Sequence, residues 1–271
     1  MNTPQAQAPK GRLYLVPAPL DFGCPEQAPV TDVIPNHTLQ TAAGLRHWVC
    51  ENAKSARAYL KRIGEHHPLV APLQEQSLQE LPRHVHKKGD HEAGQFDARP
   101  LLAPALAGHD MGLISEAGMP AVADPGSSVV RAAHDLGLEV IPLTGPVSLL
   151  LALAASGLNG QNFAFVGYLP QDAGERSQRL KELESFALRT GQTQIFIETP
   201  YRNPALWQAL VQTLQPNTRL AISLGLTLAS GRNRSDLVKN WRQQAHQGKA
   251  AGKDKSAFPP ADTPAVFSIG R

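Results

Sequence analysis

The sequence predicts an α/β protein built as two α/β domains, and three observations lead there. Short apolar runs alternate with stretches of helical spacing along most of the 271 residues, the pattern of layered α/β folds. A Pro-marked junction at Thr144–Ser148 divides that pattern into two halves, giving expected domains of 11–145 and 146–271. A twelve-residue Gly/Pro segment, Ser115 to Gly126, directly follows one of the apolar runs. A plain strand-to-helix connection needs only about 2–6 residues, and open α/β sheets bind ligands at this carboxyl edge.

Taken in order, strands are expected at Leu13–Val16, Arg46–Cys50, Met111–Ile114, Glu139–Leu143, Phe163–Val166, Gln194–Glu198, Leu220–Leu224 and Ala265–Ile269. Each is a short apolar run of strand length. Between them, helices are expected at Lys54–Ile63, Pro100–Ala107, Ser127–Leu136, Pro146–Ala155, Glu175–Leu188, Pro204–Leu214 and Asp236–Gln247. Asn203-Pro204 reads as an N-cap followed by Pro in the first turn, and Gly145-Pro146 as a similar start. Ser235 is placed to cap the last helix, with Asp236 favourable against its dipole. Residues 64–100 are rich in His, Gln, Pro and charge and read as an exposed excursion, with Pro68–Leu73 as a candidate strand. Residues 245–262 are polar and read as mobile.

Composition excludes several classes. No run approaches the roughly 20 apolar residues that span a bilayer; the longest, Val147–Ala155, is about half that. The first ten residues lack a signal-peptide core and read as a frayed tail. Cys24 and Cys50 are too few and too separated for a disulfide framework or a Cys-based metal site, which fits a reducing cytoplasm. A net charge of +3 does not by itself argue for nucleic acid.

The Ser115–Gly126 segment, Ser-Glu-Ala-Gly-Met-Pro-Ala-Val-Ala-Asp-Pro-Gly, carries the chemistry. Gly118 and Gly126 permit close backbone approach, and Pro120 and Pro125 stiffen the loop, so its main chain can present amides and carbonyls to a ligand.

The same segment resembles the "SDAGTPGISDPG" loop of the tetrapyrrole methylase superfamily, in the branch of the ribosomal RNA small subunit methyltransferases. Leu13-Tyr14-Leu15-Val16-Pro17-Ala18-Pro19 is similar to "LYIVATPIG", and Thr144-Gly145-Pro146-Val147-Ser148 to "PGPSA". Phe163-Ala164-Phe165-Val166-Gly167-Tyr168-Leu169-Pro170 resembles "FxFxGFLP", and Ile197-Glu198-Thr199-Pro200-Tyr201-Arg202 resembles "YESPHR". Five ordered segments make a specific signal. The resemblance implies two α/β domains with a cofactor cleft between them, S-adenosylmethionine as the cofactor, and transfer of its methyl group to a cytidine 2′-hydroxyl of ribosomal RNA. It also implies a homodimer acting on the small ribosomal subunit in the cytoplasm.

By that resemblance, Pro17, Glu116, Ala117, Gly118, Met119, Ala121, Val122, Ser148, Tyr168 and Leu169 are expected to contact the cofactor. Ser148 reads equally as a first-turn serine bonding locally, and Tyr168 as a core aromatic with a wet hydroxyl. A 2′-hydroxyl is a poor nucleophile and gains from a general base. Glu198, Arg202, Glu51 and Arg57 are the candidates on the acceptor side, the last two within a segment similar to "EDTRHTRKLL". Glu198 and Arg202 read alternatively as a structural ion pair, Asp124 as a cap of the following helix or a residue ordering its own loop, and Glu51 and Arg57 as ordinary surface charges of a helix start.

Departures from the family text fall mainly on the acceptor side. Asn52 stands where the family has an acid, Glu116 and Met119 replace its Asp and Thr, and Asp21-Phe22-Gly23-Cys24 replaces "GNLGD". Ser223–Ser230 keeps Thr227 but not the charged residues around it. Two other readings therefore stand beside the first: methylation of a tetrapyrrole or other small molecule, and a non-catalytic paralogue that binds cofactor or RNA. His66, His67, His84, His86 and His91 lack ordered ligand spacing, so no metal is expected. From Gly231 to Lys255, seven Lys/Arg against two acids suit either phosphate contact or a solvated surface helix.

Overall fold

The computed structural model describes residues 9–82, 85, 90, 96–243 and 258–271. The first eight residues of the expected tail, His84, His86, His91, Lys249, Lys253, Lys255 and most of the 245–262 segment lie outside these. The chain divides into two compact units: Ala28–Pro146 with the leading stretch that ends at Phe22, and Val147–Arg271 with Gly23–Gln27.

The first unit is a five-stranded parallel sheet in the order β3-β2-β4-β1-β5. Its strands are β1 (Leu13–Leu15), β2 (His47–Cys50), β3 (Ser77–Glu80), β4 (Met111–Ile114) and β5 (Val140–Pro142). β4 is buried along its whole length because β1 and β2 flank it and both faces are covered, which is why its sequence is apolar without alternation. One core, including Trp48, Leu60 and Ile63, fills one side of the sheet; Leu13, Met111, Leu113 and Val129 belong to the other. Parallel pairing directs the loops after β1, β2 and β4 to one edge.

The second unit carries a mixed sheet in the order β6-β7-β10-β8-β9. It consists of β6 (Phe163–Tyr168), β7 (Thr193–Glu198), β8 (Arg219–Leu224), β9 (Arg232–Leu237) and β10 (Ala265–Gly270). β6 and β7 run parallel, while β10 pairs antiparallel with both β7 and β8. Phe196 and Phe267 stack at the centre of its core, with Trp207 and Trp241 edge to face beside them.

Several expectations need correction. The strand in the 64–100 stretch is Ser77–Glu80, not Pro68–Leu73, and the stretch is not wholly exposed: Ala71, Gln76, Leu81, Val85, Asp90 and Ala98 are buried. Asp236 lies in β9 rather than in a helix, and among the described residues helical backbone follows at 238–243. Ser235 is thus a strand residue and caps nothing, whereas Asp236 Oδ1 accepts from the Leu237 amide and Asn240 Nδ2. Asn203 is the first residue of helix Asn203–Thr213, and its Nδ2 donates to Thr263 O instead of capping. Two helices, Val30–Val33 and Asn36–Ala43, fall where the sequence pattern predicts no element, although Pro29 and Pro35 stand directly before them.

Candidate active site at the carboxyl edge of the first sheet

The Ser115–Gly126 loop leaves β4 and returns as helix Ser127–Asp135. Four of its residues have left-handed backbone: Gly118 at φ 72°, Ala121 at 63°, Ala123 at 66° and Gly126 at 135°. An alanine there is strained by about 1–2 kcal/mol, and such strain clusters at functional sites. The fold holds the loop at both ends. Gly118 and the loop after β1 form an isolated antiparallel bridge through Ala18. Asp90 accepts hydrogen bonds from the Gly126 amide at 2.8 Å and the Ser128 amide at 2.9 Å, filling the N-terminus of the following helix.

The loop after β1 is held just as firmly. Pro17 is buried, its carbonyl accepts from the Tyr59 hydroxyl at 2.9 Å, and burial drives that phenol well above its ordinary pKa. Pro17 also packs so closely on Gly145 that a Cβ at Gly145 would lie 2.2 Å from Pro17 Cγ. Asp21, 4% exposed, pairs with Arg62 at 3.0 Å.

Glu51, directly after β2, lies beside the loop because Cys50 pairs with Ile114. Burial raises its carboxyl from 4.5 to about 8, and the charges of Asp124 and Glu116 add to the effect, against a hydrogen bond from the Glu116 amide. Its Oε1 is buried with no hydrogen-bond partner among the described residues. Asp124 is raised to about 7 by burial and then by Glu116. Glu116 accepts from the Ser55 hydroxyl at 3.1 Å. Three carboxyl groups thus share one site, two of them able to hold a proton at neutral pH.

The structure brings together Pro17, Glu51 and the Glu116–Val122 segment, which surround one sheet edge. Arg57 is exposed on helix Ala53–Gly64, one turn beyond the Asn52 cap, and its charge acts on Cys50. Asp124 does not cap the helix after the loop; Asp90 does. Asn52, a departure from the family text, accepts from the Lys54 amide at 2.8 Å and caps its helix as an Asn at that position should. Asp90 and Ser55 are participants that the sequence did not single out. Ser55 stands three residues after the cap, but nothing local in the sequence marks Asp90.

The other candidates belong to the second unit. Ser148 opens helix Ser148–Ser156. Tyr168, at the end of β6, is 57% exposed and is therefore not a core aromatic. Leu169 is buried in that unit's core. Glu198 and Arg202 form an ion pair of 2.8 Å at the carboxyl end of β7, with Glu198 6% exposed and also accepting from the Thr199 amide.

Among the described residues there is no group of three or more metal-type ligands, and no helix is long and apolar enough to cross a membrane.

What this edge can hold follows from its main chain. The amides of Ala117 and Met119 make no internal hydrogen bond among the described residues, and they flank Gly118, whose backbone is left-handed. Such a cradle offers two free amides to an anionic group, beside a carboxyl cluster in which Glu51 and Asp124 can be protonated at neutral pH.

Comparison with known proteins gives a consistent picture. The profile of the family described as Tetrapyrrole (Corrin/Porphyrin) Methylases matches residues 37–241. A protein of Mesorhizobium japonicum named "Ribosomal RNA small subunit methyltransferase I" is 34% identical over 189 residues, covering 70% of this chain and 57% of its own length. One of the same name from Escherichia coli O157:H7 is 28% identical over 218 residues, 80% of this chain and 66% of that protein. The chain thus spans less than two thirds of either relative. Among solved structures, the methyltransferase CobJ superposes with a TM-score of 0.54 at 15% identity, covering 96% of this chain and 94% of that one. Uroporphyrin III C-methyl transferase from Thermus thermophilus superposes at 0.52 with 17% identity, covering 96% and 98%. These two likenesses show the same fold.

Proposed function

The chain belongs to the tetrapyrrole methylase family, and from that premise we propose that it is an S-adenosylmethionine-dependent methyltransferase acting on RNA. The names of its relatives point to RNA of the small ribosomal subunit, and the acceptor we infer, on the sequence resemblance alone, is a cytidine 2′-hydroxyl. The observation that carries the reading is the doubly anchored, left-handed loop at the carboxyl edge of the first sheet.

In this proposal the Glu116, Ala117, Gly118, Met119, Ala121 and Val122 segment lines the cofactor slot, its free Ala117 and Met119 amides holding the cofactor, with Pro17 closing the slot from the neighbouring loop. The resemblance adds Ser148, Tyr168 and Leu169 of the second unit; the Leu169 side chain is committed to the core, which leaves its main chain for contact. S-adenosylmethionine would supply an electrophilic methyl group for in-line displacement. What the protein contributes is position, worth up to about 7–11 kcal/mol in favourable cases, together with a destination for the hydroxyl proton. Glu51, whose carboxyl titrates near 8, is the proposed acceptor of that proton, since a base works best with a pKa near the working pH. Arg57 is exposed, its charge acts on Cys50, and it is proposed to face the RNA phosphates. Glu198 and Arg202 enter as a preformed pair that orders the end of β7. A homodimer in the cytoplasm completes the proposal.

The test is transfer of a labelled methyl group from S-adenosylmethionine to small ribosomal subunits isolated from cells lacking this chain. Label in the ribosomal RNA supports the reading. Label only in small-molecule extracts, or nowhere, refutes the RNA assignment.

A further inference from the structure

Helix Ser127–Asp135 begins behind Gly126, a residue with no side chain to cap it. The first amides of a helix need acceptors from elsewhere. Asp90, more than thirty residues earlier in the chain and 3% exposed, provides them. Its Oδ2 accepts from the Gly126 amide at 2.8 Å, the Ser128 amide at 2.9 Å and the Ser128 hydroxyl at 2.6 Å. Its Oδ1 accepts from the Ser127 hydroxyl at 2.7 Å. Burial alone would raise this carboxyl, but the Ser128, Ser127 and Gly126 donors outweigh it and hold it below the ordinary range.

We propose that Asp90 is a positioning residue for the cofactor loop, fixing the Ala121–Gly126 limb in its left-handed conformation; this rests on the reading of that loop as the cofactor cradle. Three of the loop's four left-handed residues, Ala121, Ala123 and Gly126, lie in this limb. Its own hydrogen bonds are long, Ala121 N to Pro125 O at 3.4 Å and Val122 N to Met119 O at 3.3 Å. Strained backbone persists only where its surroundings over-determine it. The bridge to Ala18 fixes the Gly118 end, and Asp90 fixes the other. A second consequence concerns charge. The Gly126 and Ser128 amides already bind a carboxylate of the protein, so an anionic group of the ligand is directed to the amides of Ala117 and Met119 instead.

Geometry makes a discriminating pair of variants available. In Asp90→Asn, an amide oxygen at the Oδ2 position still accepts from both backbone amides, and the NH2 group can donate to the Ser127 hydroxyl. Asp90→Ala removes every acceptor. Hydrogen exchange of the full-length protein without ligand is measured first, then binding of S-adenosylmethionine by calorimetry. For Asp90→Ala, exchange of the Ala121 and Val122 amides speeds up at least about tenfold and the cofactor Kd rises by about the same factor, the loss of two or more buried hydrogen bonds. Asp90→Asn stays within about threefold of wild type in both, because one acceptor position meets both amides. An Asp90→Ala protein that melts earlier, yet exchanges and binds as wild type while folded, would reduce Asp90 to a helix cap and overturn the proposal. So would an Asp90→Asn protein that loses affinity with unchanged exchange, since charge and not position would then matter. If Asp90→Ala does not fold, Ser128→Ala, which removes one hydroxyl donor, is read the same way with a shift of about two- to threefold. Failure of the wild-type protein to bind S-adenosylmethionine would refute the cofactor reading alone, because exchange reports on Asp90 without any ligand.

Discussion

Ala18 and Gly118 exchange a pair of backbone hydrogen bonds, Ala18 N to Gly118 O at 2.9 Å and Gly118 N to Ala18 O at 3.0 Å. The bridge ties the loop after β1 to the loop after β4, so that two segments about a hundred residues apart behave as one rim. It also places Gly118 at φ 72°, where a Cβ would lie 3.2 Å from Leu20 Cδ2. Gly118→Ala is expected to cost about 1–2 kcal/mol in urea unfolding and to weaken cofactor binding about tenfold, because the strain distorts the rim itself. Unchanged affinity in this variant would separate the rim from binding.

Tyr59 supports the same rim from below, its hydroxyl donating to Pro17 O in a buried setting. Tyr59→Phe leaves that carbonyl without its donor and should lower stability by about 1–2 kcal/mol with little change in core packing. Urea unfolding of the two proteins decides it; equal midpoints would show that Pro17 O finds another partner.

Glu51 makes the first unit pH-sensitive, and the sign follows from proton binding. Its folded value is near 8 against an ordinary 4.5, so the native state holds more protons than the unfolded chain between those limits. Stability from the protonated form is complete below about pH 4.5 and is lost progressively as pH rises through 8. Asp124, near 7, acts in the same direction. Glu51→Gln should therefore gain stability relative to wild type as pH rises from 5 to 9, seen in Tm measured across that range. Parallel Tm profiles would contradict the assignment.

Glu198 and Arg202 predict a non-additive pair. Removing the guanidinium in Arg202→Met leaves a carboxylate that is 6% exposed without its counter-charge. The expected loss is about 3 kcal/mol, the low end for a buried pair because Arg202 remains partly exposed. Adding Glu198→Gln removes the stranded charge and should recover part of that loss. Denaturant unfolding of the two single variants and the double variant measures the coupling; additive effects would show the pair to be incidental.

The parts of this fold legible in the sequence are those whose signal is local. Met111–Ile114 announces itself because a strand covered on both faces is uniformly apolar, and the structure returns the same bounds. β9 gives no strand signal, and the expected helix at Asp236–Gln247 overlaps its last two residues, because Arg232-Asn233-Arg234-Ser235-Asp236-Leu237 has no apolar alternation; it is held as a strand by backbone pairing with β8. Its Arg234 guanidinium lies 4.0 Å from the Trp241 ring centroid, so a charge and not an apolar stripe packs on that ring. β3 was missed for a similar reason, since Ser77-Leu78-Gln79-Glu80 carries no β-branched residue.

At the site, the loop was legible through Gly118, Pro120, Pro125 and Gly126, but its strain was not. Alanine gives no warning of left-handed backbone, and Ala121 and Ala123 adopt it because the anchors on either side leave no alternative. The raised carboxyl of Glu51 and the clasp of Asp90 depend on residues far along the chain. Such long-range electrostatics and hydrogen bonding have no sequence period to betray them.

The measurement closest to the central claim is calorimetric titration of the wild-type protein with S-adenosylmethionine, repeated on Gly118→Ala. The expected result is saturable binding at one site per chain, weakened about tenfold by the variant. Absence of heat from the wild-type protein at ~1 mM cofactor, a level that would detect even weak specific binding, would contradict the account.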